Sequence, residues 1–145
     1  MAIEIKRPAL DFQPNVAIGI DLPMGSFNGS QFLLNYLSID QALANAKNFL
    51  LTNHGERPMR PLWGCNLRNS LFQNIDSEGA FFSTIEDTIR DGFAVQLPYI
   101  NIADLSITQS DLNPNQININ FSINLKGNEF DTRQIDVIID TQQAQ

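Results

Sequence analysis

From residue 117 to residue 125 apolar and polar side chains alternate without a break. Ile117, Ile119, Phe121, Ile123 and Leu125 stand against Asn118, Asn120, Ser122 and Asn124. Successive side chains of a strand point to opposite faces, so this period of two describes a strand with one face on a core and one neutral polar face. The apolar face needs a cover, which the rest of the chain must supply. Two stretches at helical spacing can do so. Ile39, Leu43, Ala46 and Leu50 form one stripe, and Phe82, Ile85, Ile89 and Phe93 form another, with Glu86, Asp87, Arg90 and Asp91 falling largely elsewhere. Ser38, with Gln41 three residues on, predicts a capping box at the start of the first helix, and Gly55 is suited to end it. The second helix is expected to start near Ser77, with Glu78 complementing its dipole, and to end at Pro98. The Phe81-Phe82 pair reads as core. A short further helix over about residues 66–73 would bury Leu67, Leu71 and Phe72.

Two more strands flank this scheme. In the stretch from Tyr99 to Ile107 the apolar phase slips, Ile100 and Ile102 sharing one parity and Leu105 and Ile107 the other. A bulge near Ala103-Asp104 reconciles them. Ile135, Val137 and Ile139 make the other strand, after a turn over Lys126 to Asp131, and residues 111–115 read as a turn. The expected fold class is therefore α+β: two main helices and one short helix packed on a small antiparallel sheet, with an extended N-terminal arm. The arm covers residues 1–30, where prolines at 8, 14 and 23 and glycines at 19, 25 and 29 break regular elements. Within it Val16, Ile18, Ile20 and Leu22 suggest one short strand, and residues 32–37 suggest a second just beyond. So apolar an arm must lie on its own domain or on a neighbour. Residues 31–140 form the single domain, and residues 141–145 a polar tail.

A chain of 145 residues suits one core, and 43% hydrophobic residues predict a folded chain. The net charge of −7 opposes binding to phosphate backbones, so nucleic acid is not an expected partner. No apolar run approaches a bilayer-spanning length, and residues 1–8 lack a signal-peptide core. The expectation is a chain with no membrane partner that stays in the cytoplasm where it is made. One cysteine excludes an internal disulfide.

Residues 55–67 combine two prolines, two glycines, two arginines and the only tryptophan and cysteine. Proline fixes φ and glycine permits positive φ, so this segment predicts a stiff connector, packed by Trp63, that holds Arg57 and Arg60 for a partner. An ordinary helix–helix loop with solvated arginines accounts for the same residue types.

The spacing Gly55, Arg57, Pro58, Pro61, Gly64, Cys65, Leu67, followed by Leu71-Phe72, resembles the signature of the contractile-tail baseplate wedge family. That family spans small phage baseplate subunits and the matching component of type VI secretion systems, and some proteins resembling it carry a lysozyme-like label. The stretch from Ser38 to Thr52 looks familial as well, and the resemblance covers roughly residues 30 to 125. It implies a structural subunit of the tail baseplate of a virion, made in the host cytoplasm. Such a subunit binds the helical core bundle formed by other wedge proteins, seeds the first ring of tail sheath protein, and is present in six copies. It also implies a fold in which sheet edges accept strands from neighbours. Many members carry Glu-Pro-Arg after the long helix; here Leu97-Pro98-Tyr99 stands at the matching place. Packing of Leu97 and Tyr99 would then replace a salt-bridged contact. The expected partner-binding residues are Glu56, Arg57, Arg60 and Trp63, then Leu97, Pro98 and Tyr99, and finally Ile117, Ile119 and Phe121 on a strand with few charged gatekeepers. The other reading of that strand makes it central, with both edges filled internally.

Reactive constellations are scarce. No Gly-x-Ser-x-Gly elbow, zinc-spaced Cys/His cluster or phosphate-binding glycine loop occurs. The run Asp111-x-Asn113-x-Asn115 begins like a calcium loop, but Gln116 and Ser122 stand where glycine and glutamate belong. No cofactor is expected. Cys65 with His54 as base is less plausible chemistry than a buried inert thiol. The alternative function is a cell-wall glycosidase, with Glu56, Glu78 or Glu86 supplying the two carboxylates. Against it, Arg57 and Arg60 beside Glu56 favour the ionised form, which is wrong for a general acid. The expectation is no enzyme.

Overall fold

The computed structural model describes residues 8–22, 24, 26–27, 31–67, 78–110 and 116–140. A 3-10 turn at Ala9–Phe12 precedes four two-residue strands, two in the arm and two just beyond it. These are β1 (Gly19–Ile20), β2 (Ser26–Phe27), β3 (Gln31–Phe32) and β4 (Leu34–Asn35). Helix α1 (Ser38–Leu51) and helix α2 (Glu78–Gln96) follow, then strands β5 (Ile100–Gln109), β6 (Gln116–Leu125) and β7 (Asn128–Asp140). Two helices on small antiparallel sheets make the fold α+β, as expected.

The main sheet runs β5-β6-β7, antiparallel throughout. The alternating strand is its middle member, so both of its edges are filled from within the chain. The reason is local. Lys126 and Gly127 alone make the turn after β6, with Gly127 at φ +90°, and the chain folds straight back as β7. The expected turn over residues 126–131 is thus shorter, because its later residues already belong to the strand. The register of β5 against β6 shifts between Ile102 and Asp104, the expected bulge. Ile117, Ile119 and Phe121 lie in the core, buried under the helices. Their expected role as partner contacts is corrected: a central strand has no free edge, and these side chains have no access to a neighbour. Among the described residues, the sheet's outer strands are β5 and β7.

Helix α1 lies over β6 and β7, while α2 packs beside β5. Ile39, Ala46, Leu50, Ile85, Ile89 and Phe93 are buried at the predicted stripe positions, joined by Phe49 at the centre. Phe81 and Phe82 are only half-buried. The rings of Phe49, Phe93 and Phe121 meet edge to face, with centroids 5.2 Å and 5.9 Å apart, and link both helices to the sheet. Gly92 lets α2 approach this chain of rings, since a Cβ there would stand 2.8 Å from the Phe49 ring. Arg133 of β7 reaches Asp40 of α1 at 3.3 Å and Asp131 at 2.9 Å.

The start of α1 differs from expectation. The Ser38 N–H and hydroxyl both donate to Asp11 Oδ1 in the arm, at 2.8 Å and 2.6 Å. Gln41 is engaged elsewhere, accepting from Asn35 and donating to Asn45, so no capping box forms. Leu37, extended, takes the cap position, and a carboxylate from far along the chain satisfies the helix terminus instead. Helix α1 ends at Leu51, before Gly55. Of the expected helix over 66–73 only Asn66 and Leu67 are described: Asn66, at φ 53°, is not helical, and Leu67 is helical and buried. The turn at 111–115 and the tail at 141–145 lie outside the described residues.

Candidate functional site

The connector leaves α1 at Thr52, whose hydroxyl donates back to the Asn48 carbonyl at 2.6 Å. Its foot is closed by Cys65 N–H to Phe49 O (3.0 Å) and Asn66 N–H to Thr52 O (3.4 Å), and Gly55 N–H crosses it to Pro61 O (2.7 Å). Two tight turns run inside, Arg60 N–H to Arg57 O (3.1 Å) and Trp63 N–H to Arg60 O (3.0 Å). The Glu56 carboxylate accepts from the Asn53 N–H at 3.0 Å and from its side-chain amide at 2.8 Å. His54 Nε2 donates to the Gly64 carbonyl at 3.1 Å.

Backbone geometry explains the glycines. Gly55 sits at φ +90°, Gly64 at φ +126° and Asn66 at φ 53°. A side chain at Gly64 would run into the Thr52 carbonyl oxygen, so the foot can close only around glycine. Trp63 then anchors the loop, its ring edge-on to Phe49 at 5.6 Å. The Arg57 guanidinium lies over the indole, 3.7 Å from the ring centroid. Among the described residues no ion pair involves Arg57 or Arg60. The apolar tip stands in water: Met59 is 94% exposed and Leu62 74%.

Glu56, Arg57, Arg60 and Trp63 are thus brought together. Leu97, Pro98 and Tyr99 form a second place, the junction of α2 and β5. Leu97 is buried, so it packs inward and offers no contact, whereas Pro98 and Tyr99 are exposed. The Tyr99 hydroxyl accepts from Asn45 Nδ2 at 2.9 Å, about two helical turns before the connector begins. It borders a cavity of about 350 Å³ between arm and helix, with Ile18, Gln41, Asn45 and Lys126. Met59 and Leu62 carried no periodic signal and were missed by the sequence reading. So was Phe49, whose place between Trp63 and Phe93 only packing reveals.

Burial pushes the Cys65 thiol up to about 12, and its Sγ lies 4.0 Å from the Thr88 carbonyl. Such a thiol is a poor nucleophile, and His54 is turned to Gly64 instead. Of the carboxylates considered for sugar chemistry, Glu56 holds Asn53 and Glu86 pairs with Arg90 at 2.8 Å; the side chain of Glu78 lies outside the described residues. On the outer face of the sheet, Asp104, Ser106, Asn120, Ser122, Gln134 and Asp136 line a groove of about 320 Å³. Among the described residues no group of three or more His, Cys, Asp or Glu is placed to hold a metal, and no helix is long and apolar enough to cross a membrane.

No protein-family model and no curated protein matches this chain. Solved structures do. A "putative tail lysozyme" from Geobacter sulfurreducens superposes with a TM-score of 0.60 at 16% identity, over 74% of this chain and 96% of that one. A chain of the anti-feeding prophage baseplate, solved with six-fold symmetry, superposes with a TM-score of 0.55 at 15% identity, over 84% of this chain and 83% of that one. At such identity the likeness is one of fold: this chain shares its fold with a tail protein and with a component of a baseplate.

Proposed function

We propose that this chain is a structural subunit of a contractile-tail baseplate wedge and catalyses no reaction. It binds the wedge's helical core bundle through the connector and starts sheath assembly by lending a sheet edge to the first sheath subunits. It works in the tail baseplate of a virion, in six copies, after synthesis in the host cytoplasm. The connector carries the reading: a loop locked by its own hydrogen bonds and anchored on Trp63, which exposes Met59, Arg60 and Leu62 and holds the half-buried Arg57 over the indole. Preorganised apolar and arginine side chains are the usual anchors of an interface. The outer edges of β5 and β7, unpaired among the described strands, are where a sheath strand would add in place of β6. The baseplate neighbour with the same fold supports the assignment.

Mixing the purified chain with wedge and sheath proteins and imaging the products tests it. Arg57→Ala with Tyr99→Ala should weaken co-assembly while the monomer stays folded. Unchanged rings from the double variant would remove these anchors.

A second reading, a cell-wall glycosidase, is favoured by the tail-lysozyme neighbour and by the outer groove. Asp104 stands opposite Ser122 and Asp136 opposite Asn120, on either side of β6, so two strand spacings and a two-residue stagger, together about 12 Å, separate their backbones, a gap that side chains leaning toward each other would narrow. Inverting enzymes hold their carboxyl groups about 6.5–9.5 Å apart. Lysis of cell walls by the purified chain, lost in Asp104→Asn with Asp136→Asn, would establish this reading and end the first.

A further inference from the structure

One directed chain of hydrogen bonds runs from the buried side of the arm to the cavity between arm and α1. Asn35, 6% exposed, donates from Nδ2 to Gln41 Oε1 at 3.2 Å. Gln41 Nε2 donates to Asn45 Oδ1 at 2.9 Å, and Asn45 Nδ2 donates to the Tyr99 hydroxyl oxygen at 2.9 Å. Gln41 and Asn45 each accept through oxygen and donate through nitrogen, so every bond points the same way. The start of the chain is held in place. The Asn35 backbone carbonyl accepts the Ile18 N–H at 2.8 Å. Gly19 pairs with Asn35, and any Cβ there would run into the Gln41 amide.

The other end is rich in donors. The Tyr99 oxygen already accepts from Asn45, and the hydroxyl donates to no acceptor among the described residues. Lys126 lines the same cavity, its backbone N–H fixed to the Tyr99 carbonyl at 3.0 Å. Its ammonium makes no hydrogen bond or ion pair among the described residues. Asn45 Nδ2 carries a second N–H beside them. Ser38, also on the wall, has both its donors on Asp11. No carboxylate of the described residues lines the cavity, although the chain carries −7 overall. The remaining wall is mostly apolar, with Ile18, Ala42 and Leu125. A few placed polar groups on an apolar wall, around a volume of about 350 Å³, are the usual make-up of a small-ligand site.

Donors without an acceptor call for a group that only accepts, and an ionised carboxylate is such a group. One ammonium balances one negative charge, which suits a carboxylate better than a phosphate dianion. We infer that this cavity binds a carboxylate carried on a small apolar group, the end of a peptide chain or a small carboxylic acid. Tyr99 and Lys126 recognise the carboxylate, and Asn35, Gln41 and Asn45 are positioning residues that turn the Tyr99 proton toward it. The site is separate from the connector and does not depend on the assembly reading.

An NMR titration of the folded chain tests it. N-acetyl-leucine should shift the backbone amides of Asn45, Tyr99 and Lys126 along a saturating curve. N-acetyl-leucinamide, which keeps the shape and lacks the charge, should bind about tenfold more weakly. Tyr99→Phe keeps the ring and removes the donor, so it should weaken N-acetyl-leucine about tenfold with an unchanged melting curve. Lys126→Met should cost less, about threefold, and its effect should shrink in high salt as for an exposed charge. A peptide ending in leucine separates the two sources: tighter binding than by the single residue assigns the end of a chain, and equal or weaker binding a small acid. Equal binding of acid and amide overturns the inference, because the chain would then end on an acceptor. So does a preference for inorganic phosphate, full binding by Tyr99→Phe, or no saturable shift at tens of millimolar. The titration uses the isolated chain, so the assembly reading stands or falls separately.

Discussion

The connector at residues 52–66 and the ribbon formed by β1 to β4 both turn large apolar side chains to water, but they are held by different means. The connector's backbone is crossed by its own hydrogen bonds, its glycines are required by positive φ, and Trp63 ties it to the central rings. The ribbon is tied to α1 by side chains: Asp11 to Ser38, Asn35 to Gln41, and Lys47 to the Leu22 carbonyl at 3.4 Å. A surface of the first kind loses little entropy when a partner docks, because its shape precedes the contact. A surface of the second kind can open without the core opening, because only a few side-chain bonds resist. The two regions should therefore fail separately.

The largest test is Phe49→Ala. It removes the ring that carries the connector's anchor, and losing a fully buried phenylalanine costs about 3–5 kcal/mol. Urea unfolding measures the loss, and Trp63 fluorescence should shift to longer wavelength in the folded variant. A loss below about 1 kcal/mol would mean that the connector does not depend on the core.

Gly64→Ala is expected to cost about 3 kcal/mol, from a disfavoured φ and from the collision with the Thr52 carbonyl. The same substitution at Gly55, whose Cβ would meet nothing within 4 Å, isolates the φ contribution and should cost less. Equal losses from the two variants would show that the foot of the loop is not tightly closed.

The seal at that foot has a pH signature. The Cys65 thiol is raised from 9.0 to about 12 by burial. Above pH 9.0 the unfolded chain releases this proton while the folded chain keeps it, so the folded form binds more protons. Stability is then undiminished below pH 9.0 and falls as pH rises toward 12. Compared with Cys65→Ala, the natural chain should lose about 1 kcal/mol per pH unit in that window. Parallel stability curves for the two proteins would show that water reaches the thiol.

The smallest effect belongs to the ribbon. Asp11→Ala removes the carboxylate that caps α1 and should cost about 1 kcal/mol. Hydrogen exchange should rise at the ribbon's amides and stay constant in the connector. Acceleration in both regions would break the distinction drawn between them.

Local patterns were legible where the physics is local. The alternation over 117–125 predicted a strand with one buried face, the parity slip at Ala103-Asp104 predicted the bulge, and the stripe at Ile85, Ile89 and Phe93 predicted the core face of α2. The connector's spacing predicted a constrained loop packed by Trp63. Contacts between distant segments were not legible. Asp11 and Ser38 lie 27 residues apart, and nothing near Ser38 shows that its cap comes from elsewhere. Leu97 reads as a contact residue beside Tyr99, yet the turn at Pro98 directs the one inward and the other outward.

What the sequence determined by itself was periodicity and backbone freedom: which segments are strand or helix, and where glycine and proline constrain the path. Those properties depend on near neighbours in the chain. Strand order was decided only by tertiary structure, because an alternating strand has the same pattern at the edge of a sheet as in its middle. With β5 and β7 paired on either side of it, the strand best defined by sequence became the one a partner cannot reach, and the outward-facing chemistry passed to the connector and the ribbon.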